Sequence, residues 1–256
     1  MNSFEKFSQL HQNTTPLLLG NIWDVSSAKL FETAGYKAIG TSSMAVANAF
    51  GLEDGEKLEF EALFQLAKRV IKAVNIPFTV DIEGGYSRKI NDIVENMKKL
   101  HDIGVVGVNL EDTIMADTRQ FQSISDFQKI LSKIAEDLSK NNIKFFLNIR
   151  TDGFLLGMPN ALVETLLRIK AYESAGASGI FVPCIITERD IHEVVSATHL
   201  PVNVMCMPDL PSFEKLKSLG VKRISAGPFV HSFVNKKTEE AMKAVLQQNN
   251  FFPLFQ

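Results

Sequence analysis

Short apolar runs punctuate the chain, separated by longer stretches in which apolar residues recur every three or four positions. One phrase repeats. It reads AGYKAIG at 34–40, IGVVGVN at 103–109, AGASGIF at 175–181 and LGVKRIS at 219–225. Each copy follows an amphipathic stretch and carries a glycine where a helix should end, because glycine enters the left-handed conformation without a Cβ clash. An apolar, strand-like run comes next. A second set of such runs lies between the copies: PLLLGN at 16–21, PFTVDIE at 77–83, KFFLNIR at 144–150 and PVNVMC at 201–206. Together the two sets give eight short strands. The helical period predicts helices over 58–74, 91–102, 125–140, 159–174, 187–197, 212–219 and 229–249.

Strands alternating with helices imply βαβ units and a parallel sheet. Eight units in 256 residues fit a (β/α)₈ barrel, read as one domain over 1–256. A doubly wound open sheet is the competitor, but no G-x-G-x-x-G follows the first strand. No linker or low-complexity segment interrupts the pattern.

In such a barrel the site lies at the C-terminal ends of the strands. Residues two apart on a strand share a face, so Thr79, Asp81 and Glu83 oppose Phe78, Val80 and Ile82. The same split sets Asn109 and Glu111 against Val108 and Leu110, and Asn148, Arg150 and Asp152 against Leu147 and Ile149. The apolar set is expected to face the helices and the polar set the barrel axis. Three strands then deliver carboxylates and an arginine to one mouth.

Asp81, Glu83 and Glu111 are hard oxygen ligands whose mutual repulsion calls for a cation. Mg²⁺ suits them, with Mn²⁺ as the alternative, because it takes one or two carboxylates and keeps several waters. Arg150 offers a fixed fork for a carboxylate or phosphoryl group. Gly84 and Gly85 read as a tight turn beside the metal. The competing reading makes these solvated strand-end residues, with Arg150 in a structural ion pair.

Composition narrows the setting. Hydrophobic residues make up 45%, and 27 basic residues against 29 acidic leave a net charge of −2. That excludes a polybasic footprint for nucleic acid or anionic membrane. No run approaches the ~20 apolar residues of a membrane span, and MNSFEKFSQLHQ lacks the apolar core of a signal peptide. Cys184 and Cys206 show no metal or redox spacing. A soluble cytoplasmic protein is expected.

The stretches GTSSMAVANAFGLEDGE, VDIEGGY, NLEDT and NIRTDGF, together with IWDVSSAKLFETAGYKAIGTSS, resemble the isocitrate lyase/phosphoenolpyruvate mutase superfamily from about residue 16 to about 245. The resemblance implies Asp81 as the direct Mg²⁺ ligand, with Glu83 and Glu111 holding the metal's waters. Asp54 is implied as a further acidic partner at metal and substrate. Ser42, Ser43 and Met44 are implied to bind the substrate carboxylate, although the family often has glycine where Ser43 stands. Arg150 is implied as the substrate-binding arginine. The implied chemistry passes through a Mg²⁺-stabilised enolate of a 2-oxo acid or related carboxylate.

The loop at 113–127, TIMADTRQFQSISDF, departs from the family. It lacks the cysteine of the Lys-Lys-Cys-Gly-His-type loop of isocitrate and methylisocitrate lyases, and the lysine and asparagine of the mutase and hydrolase branches. Thr118, Arg119 and Gln120 remain as candidate contacts, with an exposed loop arginine favoured for Arg119. Carbon–carbon cleavage is expected, by a lyase or an oxaloacetate-decarboxylase-like route. Carbon–phosphorus chemistry and a non-catalytic carboxylate binder are the alternatives.

Weaker signals complete the reading. Both cysteines are expected to be buried and inert. His231 is expected on a helix surface or in a cap, with a proton donor as the alternative. Asp24 is expected to cap a helix starting near Val25. The tail NNFFPLFQ should be exposed unless covered. The resemblance implies that a C-terminal helix is exchanged between subunits of a homodimer or homotetramer.

Overall fold

The structure is a computed structural model that describes residues 2–116 and 118–255. The chain begins with α1 (Ser3–Leu10), β1 (Leu17–Ile22), α2 (Val25–Thr33), β2 (Ile39–Thr41), α3 (Ser43–Ala49) and α4 (Phe60–Ile71). Then come β3 (Phe78–Asp81), α5 (Ile90–Asp102), β4 (Gly107–Glu111), and a hairpin of β5 (Thr113–Met115) and β6 (Arg119–Phe121). They are followed by α6 (Ile124–Lys140), β7 (Phe146–Arg150), α7 (Ala161–Ser174), β8 (Gly179–Val182) and α8 (Glu188–Ser196). The last are β9 (Val202–Met205), α9 (Phe213–Ser218), β10 (Arg223–Ser225), α10 (Phe229–Gln248) and a 3₁₀ turn (Phe252–Phe255). All strands except β5 and β6 pair in parallel, in chain order, and β1 closes the ring on β10. The eight strands and seven helices read from the pattern are all present. The hairpin, α1, α3 and the 3₁₀ turn were not foreseen.

Local chemistry sets the helix starts. Asp24 caps α2 as expected, accepting from the Ser27 amide at 2.6 Å while the Ser27 hydroxyl reaches back to the Asp24 amide. Asn2 and Glu5 form the same reciprocal box on α1, and Ser123, Thr187 and Ser212 cap α6, α8 and α9. Each such cap is worth about 1 kcal/mol.

The strand alternation sorts as expected. Phe78, Val80, Val108, Leu110, Leu147 and Ile149 point outward into one apolar shell with the inner faces of α4, α5 and α6. The barrel interior is graded from floor to mouth. At the floor, Leu17, Leu19, Ala38, Val106 and Phe146 enclose Phe7, which α1 inserts as a plug. Gly107 has no room for a side chain here, since a Cβ would lie 2.4 Å from the Phe146 carbonyl oxygen.

Above the floor lies an amide layer. Asn148 donates to Asn109 at 2.8 Å and to Asn203 at 3.3 Å, Asn203 donates to Ser225, and Arg223 donates to Asn109 at 3.3 Å. The charged groups stand above that. Among the described residues no helix is long and apolar enough to cross a membrane.

α10 leaves the barrel surface and buries only His231. Its exposed residues include Phe233, Met242 and Leu246, and the tail adds Phe251, Phe252 and Phe255. His231 packs edge-on against Trp23 at 5.0 Å and lies 3.2 Å from the Asn235 amide. It is a packing residue, which corrects the helix-surface reading and gives no support to the proton donor.

His11 completes the floor. It stacks on Phe146 at 4.5 Å, and its Nδ1 lies 2.9 Å from the Phe7 carbonyl oxygen. Burial, aided by the nearby Arg223 charge, pushes its pKa down to about 3 from 6.5. The unfolded chain therefore takes up a proton at a higher pH than the folded protein does. The stability held by the neutral ring is complete above pH 6.5 and is lost as pH falls toward 3. Urea denaturation between pH 4 and 7 should show a decline of roughly 2–4 kcal/mol from this group, and His11→Gln should flatten it.

Candidate active site

A cavity of about 550 Å³ opens at the C-terminal ends of the barrel strands. Asp81, the last residue of β3, lies in its wall. One of its oxygens accepts from the Glu83 amide at 3.0 Å, and the other from Asn109 Nδ2 at 3.0 Å. The Asp81 amide in turn donates to Thr41 Oγ1 at 2.8 Å. Burial pushes the Asp81 carboxyl above its usual range, and Asp54 adds to the shift, against the pull of Arg150.

Glu83 reaches the same cluster by a route that strand alternation did not predict. β3 ends at Asp81, and Glu83 adopts φ +49°, a left-handed conformation. Its carboxylate accepts from the Glu56 amide at 2.7 Å and from the Tyr86 hydroxyl at 3.3 Å. Burial, then repulsion from Asp54 and Asp81, pushes its pKa up to about 7. The two glycines that follow serve packing. Gly85 sits at φ +100°, where a Cβ would meet Ile93 at 2.9 Å. Gly84 has the Glu56–Arg88 pair close beside it, in the tight turn that was expected here.

Glu111, at the end of β4, stands between two guanidinium groups. Arg150 donates to one of its oxygens at 2.5 Å and Arg119 to the other. Arg150 also forks onto Asp152, with Nε to Oδ1 at 2.6 Å and Nη2 to Oδ2 at 3.2 Å. The structural ion pair set out as the competing reading for Arg150 therefore exists. Three of the five guanidinium N–H groups are used in these bonds, and Arg150 still lines the cavity.

Arg119 is the largest departure from the sequence reading. It is not an exposed loop arginine. It lies across Glu111, reaches Asp54 Oδ2 at 3.2 Å with Nη2, and reaches Thr113 Oγ1 at 3.1 Å and Asp152 Oδ2 at 3.4 Å with Nη1. The other oxygen of Asp54 is buried and has no partner among the described residues. The hairpin that carries Arg119 is pinned at its root by Arg168 of α7. That side chain donates to Asp112 and to the Gln122 carbonyl, both at 3.1 Å, and lies 3.7 Å from the Phe121 ring centre.

Ser42, Ser43 and Met44 line the cavity as expected. The Ser42 hydroxyl caps α3, accepting from the Ala45 amide at 3.4 Å. Cys184 lines the cavity half-buried and Cys206 is exposed, so the expectation of two buried thiols is corrected for both. Asn21 went unnoticed in the sequence. Its Oδ1 accepts from the Ala226 and Gly227 amides at 2.7 and 3.0 Å, so the turn after β10 has its donors filled from within. Glu56 was also missed, and Asp152, placed on the axis-facing side, was given no role of its own. The one signal for Asp152 was its position two residues beyond Arg150.

The family model for phosphoenolpyruvate phosphomutase matches residues 7–246. The chain belongs to this family. It therefore falls in the isocitrate lyase/phosphoenolpyruvate mutase superfamily, as its motifs indicated. Superfamily members are enzymes, many of them carbon–carbon lyases. An uncharacterised protein of Mycobacterium tuberculosis is 30% identical over 239 residues, covering 93% of this chain and 88% of its own. An oxaloacetate decarboxylase of Bradyrhizobium sp. is 26% identical over 238 residues, covering 88% of this chain and 79% of its own. A proposed phosphonomutase from Burkholderia cenocepacia superposes with a TM-score of 0.89 at 32% identity, covering 94% of this chain and 99% of that one.

The site's chemistry fits a hard divalent cation of the kind this superfamily implies. Asp54 holds a buried oxygen with no partner among the described residues, and burial raises the pKa values of Asp81, Glu83 and Glu111 even with Arg150 and Arg119 close by. Among the described residues no three acidic, histidine or cysteine side chains form a ready-made ligand group. Mg²⁺ takes one or two direct carboxylates and keeps most of its water.

Glu83 offers a test of this crowding. Its folded pKa of about 7 lies above the ordinary 4.5. Its contribution to stability is therefore complete below pH 4.5 and is lost as pH rises through 7. With a chelator present, Glu83→Gln should stabilise the protein by about 2 kcal/mol at pH 8 and by nothing at pH 4.5. Thermal melts at the two pH values measure the difference.

Proposed function

We propose that this protein is a Mg²⁺-dependent enzyme, with Mn²⁺ able to substitute, acting on a small 2-oxo acid or related carboxylate through an enolate. Carbon–carbon cleavage, by a lyase or an oxaloacetate-decarboxylase-like route, is the reaction favoured. The observation that carries this reading is the convergence of Asp81 and the half-partnered Asp54 on one cavity wall, next to Ser42 and Arg150.

Asp81 is the direct ligand in this reading. Glu83, Glu111 and Asp54 would hold the ion through its waters. Arg150 orients Glu111 through one N–H and lines the cavity with two N–H groups left over. Ser42, Ser43 and Met44 line the wall where a substrate carboxylate would rest. The bound ion supplies positive charge opposite the oxygen on which enolate charge develops. Asp54 would add negative charge to the same cavity lining.

The hairpin favours decarboxylation over aldol-type cleavage. Its described residues carry no cysteine, lysine or histidine to take a hydroxyl proton. Loss of carbon dioxide needs no such step: the carbon–carbon bond breaks, its electrons enter the enolate, and a proton later joins the carbon. The oxaloacetate decarboxylase relative supports this choice. Carbon–phosphorus chemistry is the second reading, favoured by the likeness to the proposed phosphonomutase. A panel of 2-oxo acids separates the two by product, carbon dioxide with pyruvate against phosphate with pyruvate. Melting that rises with Mg²⁺ and oxalate while every substrate stays intact would instead establish a non-catalytic binder.

Asp81→Asn should abolish Mg²⁺ binding in calorimetry. It should cut turnover by more than the roughly 100-fold typical of losing an outer-sphere partner. Retained Mg²⁺ affinity in this variant would remove the basis of the assignment.

The protein is further proposed to be a cytoplasmic homodimer or homotetramer of one-domain subunits. A second copy would cover α10 and the phenylalanine-rich tail and exchange that helix. Truncation after Asn250 should shift gel filtration to a smaller species and lower the melting temperature. An unchanged oligomer would remove the tail from the interface.

A further inference from the structure

The charges at the mouth do not balance, and the two arginines there are held very differently. Arg150 sits on a central barrel strand, is 9% exposed, and locks onto Asp152 through two parallel bonds. Arg119 arrives from outside the barrel, on strands of three residues each, paired only to each other. A two-stranded hairpin of that length has little stability of its own. It is clamped at its root by Arg168, through Asp112, Gln122 and Phe121. Arg119 therefore holds three carboxylates from an element that lies outside the barrel sheet. Two of these, Glu111 and Asp54, are among the groups assigned above to the waters of a divalent ion.

We propose that Arg119 is an exchangeable counter-cation of this site. It neutralises Asp54, Glu111 and Asp152 while no divalent ion is bound, and it gives up Asp54 and Glu111 when an ion settles on Asp81. The inference rests on the metal reading given under the proposed function. Its consequence is that metal affinity includes the cost of moving Arg119. A binder whose competent state is a minority has its apparent affinity reduced by that fraction. Arg119 lines the cavity, so its release places a free guanidinium beside a bound substrate.

The experiment is Mg²⁺ titration by calorimetry on the full chain, comparing the native protein with Arg119→Gln, Arg119→Lys and Arg88→Gln. Arg88 pairs with Glu56 at the same mouth but touches none of the three carboxylates that Arg119 holds. It reports the effect of removing a nearby positive charge alone. Arg119→Gln should bind Mg²⁺ about tenfold tighter, Arg119→Lys should fall between it and the native protein, and Arg88→Gln should stay within about twofold. The ion-free Arg119→Gln protein should also melt at a lower temperature than the native protein and regain the difference on Mg²⁺ addition. Unchanged or weaker Mg²⁺ binding in Arg119→Gln overturns the proposal while leaving the metal reading intact, as does an equal gain in Arg88→Gln. Absence of Mg²⁺ binding in every protein, native included, overturns both.

Discussion

Like charges crowded into a nearly dry mouth are the constraint around which this protein is organised. Asp81, Glu111 and Asp152 are buried, and Glu83 and Asp54 stand beside them. Isolated carboxylates in such surroundings take up protons to escape the cost of burial. Here the cost is met partly by hydrogen bonds from Asn109 and the Glu83 and Glu56 amides, and partly by two guanidinium groups. The remainder shows as raised pKa values and as an Asp54 oxygen with no partner among the described residues. A site left in that condition is prepared for further positive charge.

The rest of the barrel holds that crowding in place. Its interior changes from hydrocarbon at the floor, through interlocked asparagines, to carboxylates at the mouth. Asn109 joins the last two layers: its oxygen accepts from Arg223 and Asn148 while its nitrogen donates to Asp81. An amide has one end for each purpose, so the buried cation below fixes which end faces Asp81. Stability and site geometry thus share residues, and changes deep in the barrel will be felt at the mouth.

The hairpin after β4 gives this chain its own character within the family. The sequence there lacks the acid–base residues of the lyase and mutase loops. The structure puts an arginine in contact with the acidic cluster instead. Positive charge on a loosely built element, facing negative charge on a rigid one, ties cation binding to hairpin position.

The sequence alone determined the barrel. The period of its apolar positions, the glycines ending four of the helices and the strand phrases that follow them are local signals. A parallel closed sheet is the arrangement that buries them all. It also placed Asp81, Glu111 and Arg150 at the mouth, because strand alternation and strand-end position are local properties, whereas Ser42 was reached only through the family resemblance. Only the tertiary structure decided how Glu83 turns, which carboxylates Arg150 holds, and that Arg119 points inward. Those outcomes depend on a left-handed residue past a strand end and on pairs 39 and 65 positions apart in the chain. No periodicity encodes them, since they arise from charges meeting across loops whose paths are fixed by the whole barrel.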